Sequence, residues 1–299
     1  MFVVYAPKSN QKTEIVIPEG ITKIGCNVSG GADTAILFYL LCKYIQDSGR
    51  DITILPFNRT YLDRPTIKEA LLIVAKIKEL LGGDTSFIQP VHSEIECKKW
   101  GRIFQQWAET KLFETGDVEM LFDGMTANPK DLDFYKCGLS GGGRFSEHEE
   151  DLPKRIRVFS KFFQDGNYPD NFPQYYIDRP FCNVDKKFIK EMYEMHGIED
   201  AIFPLTWSCE GSFFDTEGFA KPCKSCFNCI EKEWAFGRFD IERKSYCSEI
   251  NSERFKEWTD YDWHWTDRYN EYLQNKPWWW RLLNKYFFKL HRKVNVDKM

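Results

Sequence analysis

The chain has 299 residues, enough for one large domain or two modest ones with a substantial core. It is 29% charged and 42% hydrophobic with a formal net charge of −4, so nothing draws it as a whole to nucleic acid or an anionic membrane. The longest unbroken apolar run, Ala35 to Cys42, is far too short to span a bilayer, which excludes a membrane-spanning class.

Met1 to Lys8 lacks the charged start and long apolar stretch of a signal peptide. With ten cysteines and no such signal, the expected setting is a reducing compartment, the cytoplasm, where clustered thiols bind metal more often than they form disulfides. Phe2 to Tyr5 and Glu14 to Ile17 are two short β-like runs split by a polar turn, which predicts an N-terminal hairpin or edge extension.

A short apolar run (Ile24, Cys26, Val28) leads into Ser29-Gly30-Gly31-Ala32-Asp33-Thr34, and Ala35 to Leu41 follows as a helix apolar on nearly all sides. Strand, glycine turn and buried helix in that order can hold phosphate. The glycines let backbone approach the anion, and N–H groups at the helix start point at it. Ser29 and Thr34 hydroxyls add donors, and the Asp33 carboxylate can hold magnesium. The competing reading is a tight strand–helix turn with a capping threonine.

Ile52 to Phe57 reads as a second buried strand, followed by a polar loop with Asn58 and Arg59. Thr66-x-x-Glu69 forms a capping box for a helix that Ala70, Leu71, Val74, Ile77 and Leu81 carry to Gly82-Gly83. A weaker strand is predicted over Ser86 to Val91, and an amphipathic helix over Lys99 to Phe113 with Ile103, Trp107 and Leu112 inward. Val118 to Phe122 is a further strand, ending in Asp123-Gly124-Met125-Thr126-Ala127-Asn128-Pro129. This alternation predicts an α/β domain with a mainly parallel sheet. Ligands of such sheets sit beyond the carboxyl ends of the strands. Ser29 to Thr34, Asn58-Arg59 and Asp123 to Asn128 are therefore expected around one crevice, with Arg59, Asp123, Thr126 and Asn128 as candidate substrate-side residues.

Ser140-Gly141-Gly142-Gly143-Arg144 reads as a surface loop, and the acidic run from Glu147 to Asp151 as a solvated face. Asp185 can cap a helix containing Phe188, Ile189, Met192 and Met195 that Gly197 closes; taken alone, Lys186 reads as an exposed first-turn lysine. His196 reads as a C-terminal helix residue facing the dipole, not a ligand.

Cys209, Cys223, Cys226 and Cys229 follow C-x13-C-x2-C-x2-C, a spacing that can close a tetrahedral shell around a structural zinc ion. Buried structural cysteines and an iron–sulfur cluster are the alternatives. The remaining six cysteines have no partner at ligand spacing.

Ser-Gly-Gly-x-Asp-Ser/Thr after a first strand resembles the signature of the PP-loop ATP pyrophosphatases, and Ser29 to Thr34 match it. The C-terminal half resembles the 7-cyano-7-deazaguanine synthases, the QueC family. The matching residues are Pro180-Phe181, Asp185-Lys186, Gly197, Thr206-Trp207-Ser208-Cys209, Pro222 to Cys229 and Ala235-Phe236.

The resemblance implies a Rossmann-like, adenine nucleotide alpha hydrolase-like sheet with helices on both faces. It also implies ATP, Mg2+ and Zn2+ as cofactors. By it, Ser29, Gly30, Gly31, Ala32 and Thr34 would bind pyrophosphate, Asp33 would engage magnesium, Lys186 would reach the phosphates, and the four cysteines would hold zinc. The implied reaction adenylates 7-carboxy-7-deazaguanine, a deazapurine carboxylate, and ammonia then displaces AMP on the way to a nitrile.

The family's Tyr-Pro-Asp-Cys-Arg segment is replaced by Met125 to Lys130, its segment after the second strand by Phe57 to Thr60, and Lys232 stands where arginine is common. These departures leave two alternatives: a non-catalytic ATP-binding sensor or assembly protein, and a PP-loop sulfurtransferase or amidating enzyme acting on a nucleic acid base.

The implied organisation is an ATP-binding domain over 1–205, a four-cysteine lobe over 206–240 and an aromatic, helical extension over 241–299. Six of the ten tryptophans lie between Trp258 and Trp280, and Lys276 to Met299 carries seven basic residues and one acidic. Packing or a homodimer contact, nucleic-acid contact and an interfacial membrane helix compete for this extension, with nucleic acid not favoured.

Overall fold

The computed structural model describes residues 1–61, 67–96, 112–127, 177–209, 213–214, 219–222, 224, 227–241 and 243–244. The chain divides into two units, Met1–Tyr246 and Cys247–Met299, and all described residues belong to the first. The tryptophan-rich extension beyond 244, residues 99–111 of the helix predicted over Lys99 to Phe113, the glycine run at 141–143 and the acidic run after it lie outside the described residues.

The frame is a five-stranded sheet, with β3 (Lys23–Asn27), β4 (Thr53–Tyr61), β5 (His92–Glu96), β6 (Met120–Phe122) and β7 (Ile177–Asp178) in the order β5-β4-β3-β6-β7. Every pairing is parallel, as the alternation of strands and helices predicts. The chain runs outward from β3 to β5 and then returns to β6 on the other side of β3, so the order reverses between β3 and β6.

Ile24, Cys26, Ile54, Met120 and Phe122 face a core shared with α1 (Ala32–Ser48), α2 (Ile67–Leu81) and α3 (Lys186–Met195). The alternate positions Phe57, Leu121 and Ile177 pack with Leu112 and Val118 on the opposite face. At 112–114 the described end of the predicted third helix is helical. α1 is buried almost continuously from Thr34 to Cys42, matching its unbroken apolar sequence.

Three features depart from expectation. β4 runs on through Asn58, Arg59 and Thr60 to Tyr61, so Asn58 and Arg59 lie within a strand and not in a loop at its end. Pairing with β5 from Phe57↔His92 to Tyr61↔Glu96 draws them in. The strand predicted over 86–91 is reduced to one bridge, Ile54↔Ile88, and pairing resumes at His92; Pro90 has no N–H to donate to a ladder. β7, only two residues long, has no counterpart in the sequence reading.

The predicted N-terminal hairpin is present as β1 (Phe2–Ala6) and β2 (Gln11–Ile15), an antiparallel pair separate from the main sheet. Its turn is seated on α3: the Glu191 carboxylate accepts from Lys8 N at 2.6 Å, and from Ser9 N and Ser9 Oγ each at 2.9 Å. Desolvation pushes the Glu191 carboxyl up, but these hydrogen bonds outweigh it and hold it below its ordinary value of 4.5. A depressed carboxyl stabilises the fold above that ordinary value, and the stabilisation is lost as pH falls through the lower, folded value. Protection of the hairpin amides from hydrogen exchange, corrected for intrinsic rate, should therefore drop as pH falls below the ordinary carboxyl value of 4.5, and Glu191→Gln should blunt the drop.

Beyond α3 come a single turn, α4 (Glu199–Ile202), and a 3-10 turn at Phe203–Leu205. A small antiparallel sheet of β8 (Phe213–Phe214), β9 (Phe219–Lys221) and β10 (Arg243–Lys244) and the helix α5 (Phe227–Phe236) complete the described fold.

Candidate functional site

The loop between β3 and α1 lies beside the reversal between β3 and β6, where ligands of open α/β sheets collect. Gly30 has φ +86°, a left-handed conformation that a side chain would strain. Gly31 then enters the helix in extended conformation, with no side chain capping the first turn. Among the described residues, no side chain accepts from the N–H groups of that turn, which lie at the positive end of a 17-residue helix.

Ser29 and Thr34 set the loop's shape. Their hydroxyls are 3.0 Å apart, Ser29 N donates to Thr34 Oγ1 at 3.1 Å, and Thr34 Oγ1 donates to Gly31 O at 3.3 Å. Val28 N donates to Phe57 O and Asn58 Nδ2 to Val28 O, each at 2.7 Å, so the loop's entry is tied to β4. Asn58 therefore serves as a buried backbone brace at this point.

Lys186, the first residue of α3, is buried at 5% exposure. Its Nζ donates to Asp33 Oδ2 and lies 3.2 Å from Glu231 Oε2 on α5. This corrects the expectation of an exposed first-turn lysine. Desolvation pulls its pKa down, but the Asp33 and Glu231 carboxylates more than offset that and hold it above the ordinary lysine value. Asp33 Oδ1 is buried without a hydrogen-bond partner among the described residues. That oxygen is an open acceptor in the first turn of α1, which suits a hard cation.

Asp185 caps α3 as expected, accepting from Lys187 N at 2.9 Å and Phe188 N at 3.4 Å. Tyr193 OH, one face of the same helix, donates to Ala32 O at 2.8 Å. His196 forms the helix C-cap and packs edge-on to Tyr39; burial lowers its pKa, so it is a neutral ring near pH 7.

Three further polar groups line up at the carboxyl ends of the neighbouring strands. Asn27 Nδ2 donates to Asp123 Oδ1 at 3.3 Å, and Arg179 Nε lies 3.3 Å from Asp123 Oδ2. Asp123 and Thr126 are both buried, and Asp123 reaches the loop's own strand through Asn27. Arg59 lies inside β4, and Asn128 lies outside the described residues. Gly124 touches the loop directly: a Cβ there would stand 2.9 Å from Thr34 N and Cα.

The cysteine region abuts the same loop. Trp207 N donates to Gly30 O at 2.8 Å. Asp240 accepts from Ser208 N at 2.9 Å and Cys209 N at 3.0 Å, and it pairs with the fully buried Lys232, which also donates to Thr206 Oγ1 at 3.0 Å. Desolvation lowers the Lys232 pKa, and the positive charge of Lys186 adds to that. Cys209 and Cys229 are buried in one small cluster with Trp207, while Cys223 and Cys226 lie outside the described residues. Cys26, Cys42 and Cys182 are buried free thiols.

The sequence reading missed Asn27, Arg179 and Glu231. A polar residue closing an otherwise apolar strand was the available signal for Asn27. Glu231 offered none, because its partner is on another helix.

No family model matches the chain, and no curated protein matches it. Among solved structures, a U34-tRNA thiolase, NcsA, from Methanococcus maripaludis, described with its [4Fe-4S] cluster, aligns with a TM-score of 0.39 at 12% identity. The alignment covers 62% of this chain and 60% of that one. No described helix is long and apolar enough to cross a membrane.

Proposed function

We propose that the chain is an ATP-dependent enzyme that adenylates a carboxylate and forms a C–N bond, acting like a 7-cyano-7-deazaguanine synthase. The observation that carries this reading is the buried Lys186 delivered to Asp33 in the first turn of the helix that follows Ser29-Gly30-Gly31. Adenylation needs N–H groups and positive charge where the leaving pyrophosphate gathers charge, and no protein nucleophile.

In this reading the backbone of Gly30 to Thr34 and the hydroxyls of Ser29 and Thr34 cradle the β- and γ-phosphates. Lys186 faces the oxygen that gains charge. Asp33 Oδ1 is the protein oxygen offered to magnesium, which supplies charge neutralisation on the phosphates when bound. A carboxylate oxygen of the substrate attacks the α-phosphorus, and the bond from that phosphorus to pyrophosphate breaks. Ammonia then attacks the acyl carbon, AMP leaves and an amide results. A second ATP activates the amide oxygen, whose departure as AMP gives the nitrile. Asp123 and Thr126 would face the deazapurine.

Cys209 and Cys229, with Cys223 and Cys226, would hold a structural zinc ion in the 206–240 lobe, and the 241–299 extension would pack on the protein or on a second copy. Zinc should appear at one per chain by elemental analysis, without the visible absorbance of an iron–sulfur cluster, and Cys229→Ser should lose it.

The deciding assay mixes the protein with Mg-ATP, ammonium and 7-carboxy-7-deazaguanine. AMP and pyrophosphate should appear in equal amounts, two of each for every nitrile formed. ATP left intact in that mixture would remove this reaction, and tight ATP binding without turnover would favour a sensor.

A further inference from the structure

The N-terminal hairpin shares no strand with the main sheet, yet its polar contacts converge on the segment that carries Lys186. Gln11 makes a reciprocal pair with one residue: its Nε2 donates to Asp185 Oδ1 at 2.9 Å, and its Oε1 accepts from Asp185 N at 2.9 Å. The same Asp185 oxygen caps α3 through Lys187 N and Phe188 N. Thr13 Oγ1 donates to Pro180 O, at the start of the turn leading into α3. Two turns further along the helix, Glu191 holds the hairpin's own turn, and Lys8 reaches Glu194 at 2.8 Å. The hairpin is thus fastened before, at and after Lys186, while the lysine projects to Asp33 and Glu231.

A cap alone needs only the Asp185 side chain. Gln11 adds something different: it fixes the orientation of the residue next to Lys186 through both backbone and side chain. We propose that the hairpin is a brace for Lys186, and that Gln11 is a positioning residue acting on bound pyrophosphate through that lysine. The pyrophosphate half of this inference rests on the phosphate reading of the loop; the brace itself does not.

Two measurements on the full chain test it. Acetic anhydride labelling of the Lys186 amine, followed by mass spectrometry, reports whether the lysine is held in place. Gln11→Ala should label at Lys186 about tenfold faster than wild type, the scale expected from two lost hydrogen bonds. Gln11→Glu, which sets a carboxylate against Asp185, should label faster still. Calorimetric titration with magnesium pyrophosphate should show about tenfold weaker binding for Gln11→Ala. The double variant Gln11→Ala/Lys186→Met should bind no more weakly than Lys186→Met alone, because Gln11 acts only through the lysine.

Unchanged labelling of Lys186 in both Gln11 variants overturns the brace, whatever pyrophosphate does. Losses that add in the double variant overturn the route through Lys186 and leave Gln11 a general stabiliser. If wild type does not bind pyrophosphate, the phosphate reading fails on its own, and the labelling still decides the brace.

Discussion

Lys186→Met should cut ATP turnover sharply and destabilise the fold together, with separable causes. Methionine fills much of the lysine's volume but brings no charge, so Asp33 and the buried Glu231 lose the cation between them. Removing one partner of a buried ion pair costs about 3 kcal/mol, because the other charge stays behind without compensation. Pyrophosphate release should fall about 1,000-fold, the scale of losing one preorganised charge-stabilising donor. Adding Glu231→Gln should recover most of the stability, read by thermal melting, and none of the turnover. If the double variant regains both, the lysine is a structural charge and the proposed role in catalysis fails.

The lysine's titration gives this contribution a definite pH range. Its folded pKa lies above the ordinary value of 10.5, so its stabilisation is complete below that value and is lost as pH rises through the folded value. Lys232, with a depressed pKa, acts with opposite sign: its contribution rises with pH as the buried ammonium is relieved of its charge. Around neutrality Lys186 should therefore confer no pH dependence on stability.

Gly124→Ala is the second large effect expected, and it works through backbone alone. The added Cβ would stand 2.9 Å from Thr34 N and Cα and 3.0 Å from the Asp33 carbonyl carbon. No flexible side chain can yield there, so the strand exit or the first turn of α1 must move. Overpacking of this kind costs about 2 kcal/mol. The larger consequence is for the ligand: displacing the first turn by a fraction of an ångström should weaken Mg-ATP binding about 100-fold. Calorimetry on Gly124→Ala checks this, and unchanged affinity would show that the loop does not depend on its contact with Gly124.

Features that depend on neighbours in sequence were legible. The Ser29 loop, the apolar α1, the Asp185 cap and the N-terminal hairpin each announce themselves within a few residues. Features that depend on distant partners were not. Asn58 to Tyr61 look like loop residues until β5 pairs with them, because strand preference is set largely by neighbours. β7 is too short for any periodicity. The burial of Lys186 follows from two carboxylates elsewhere in the chain, and a lysine taken alone belongs at the surface. The polar row of Asn27, Asp123 and Arg179 forms only when three strands lie side by side.

The pairing of Asp33 with Lys186 spans 153 residues, and the clasp of Lys8 on Glu191 spans 183. Contacts this remote close long loops and form only after much chain entropy has been surrendered. On a ribosome, the glycine loop would emerge long before the lysine and the Glu231 that complete its surroundings. A nascent or partly folded chain therefore presents the loop without Lys186 beside it, and the proposed grip on phosphate would arrive only with the finished fold.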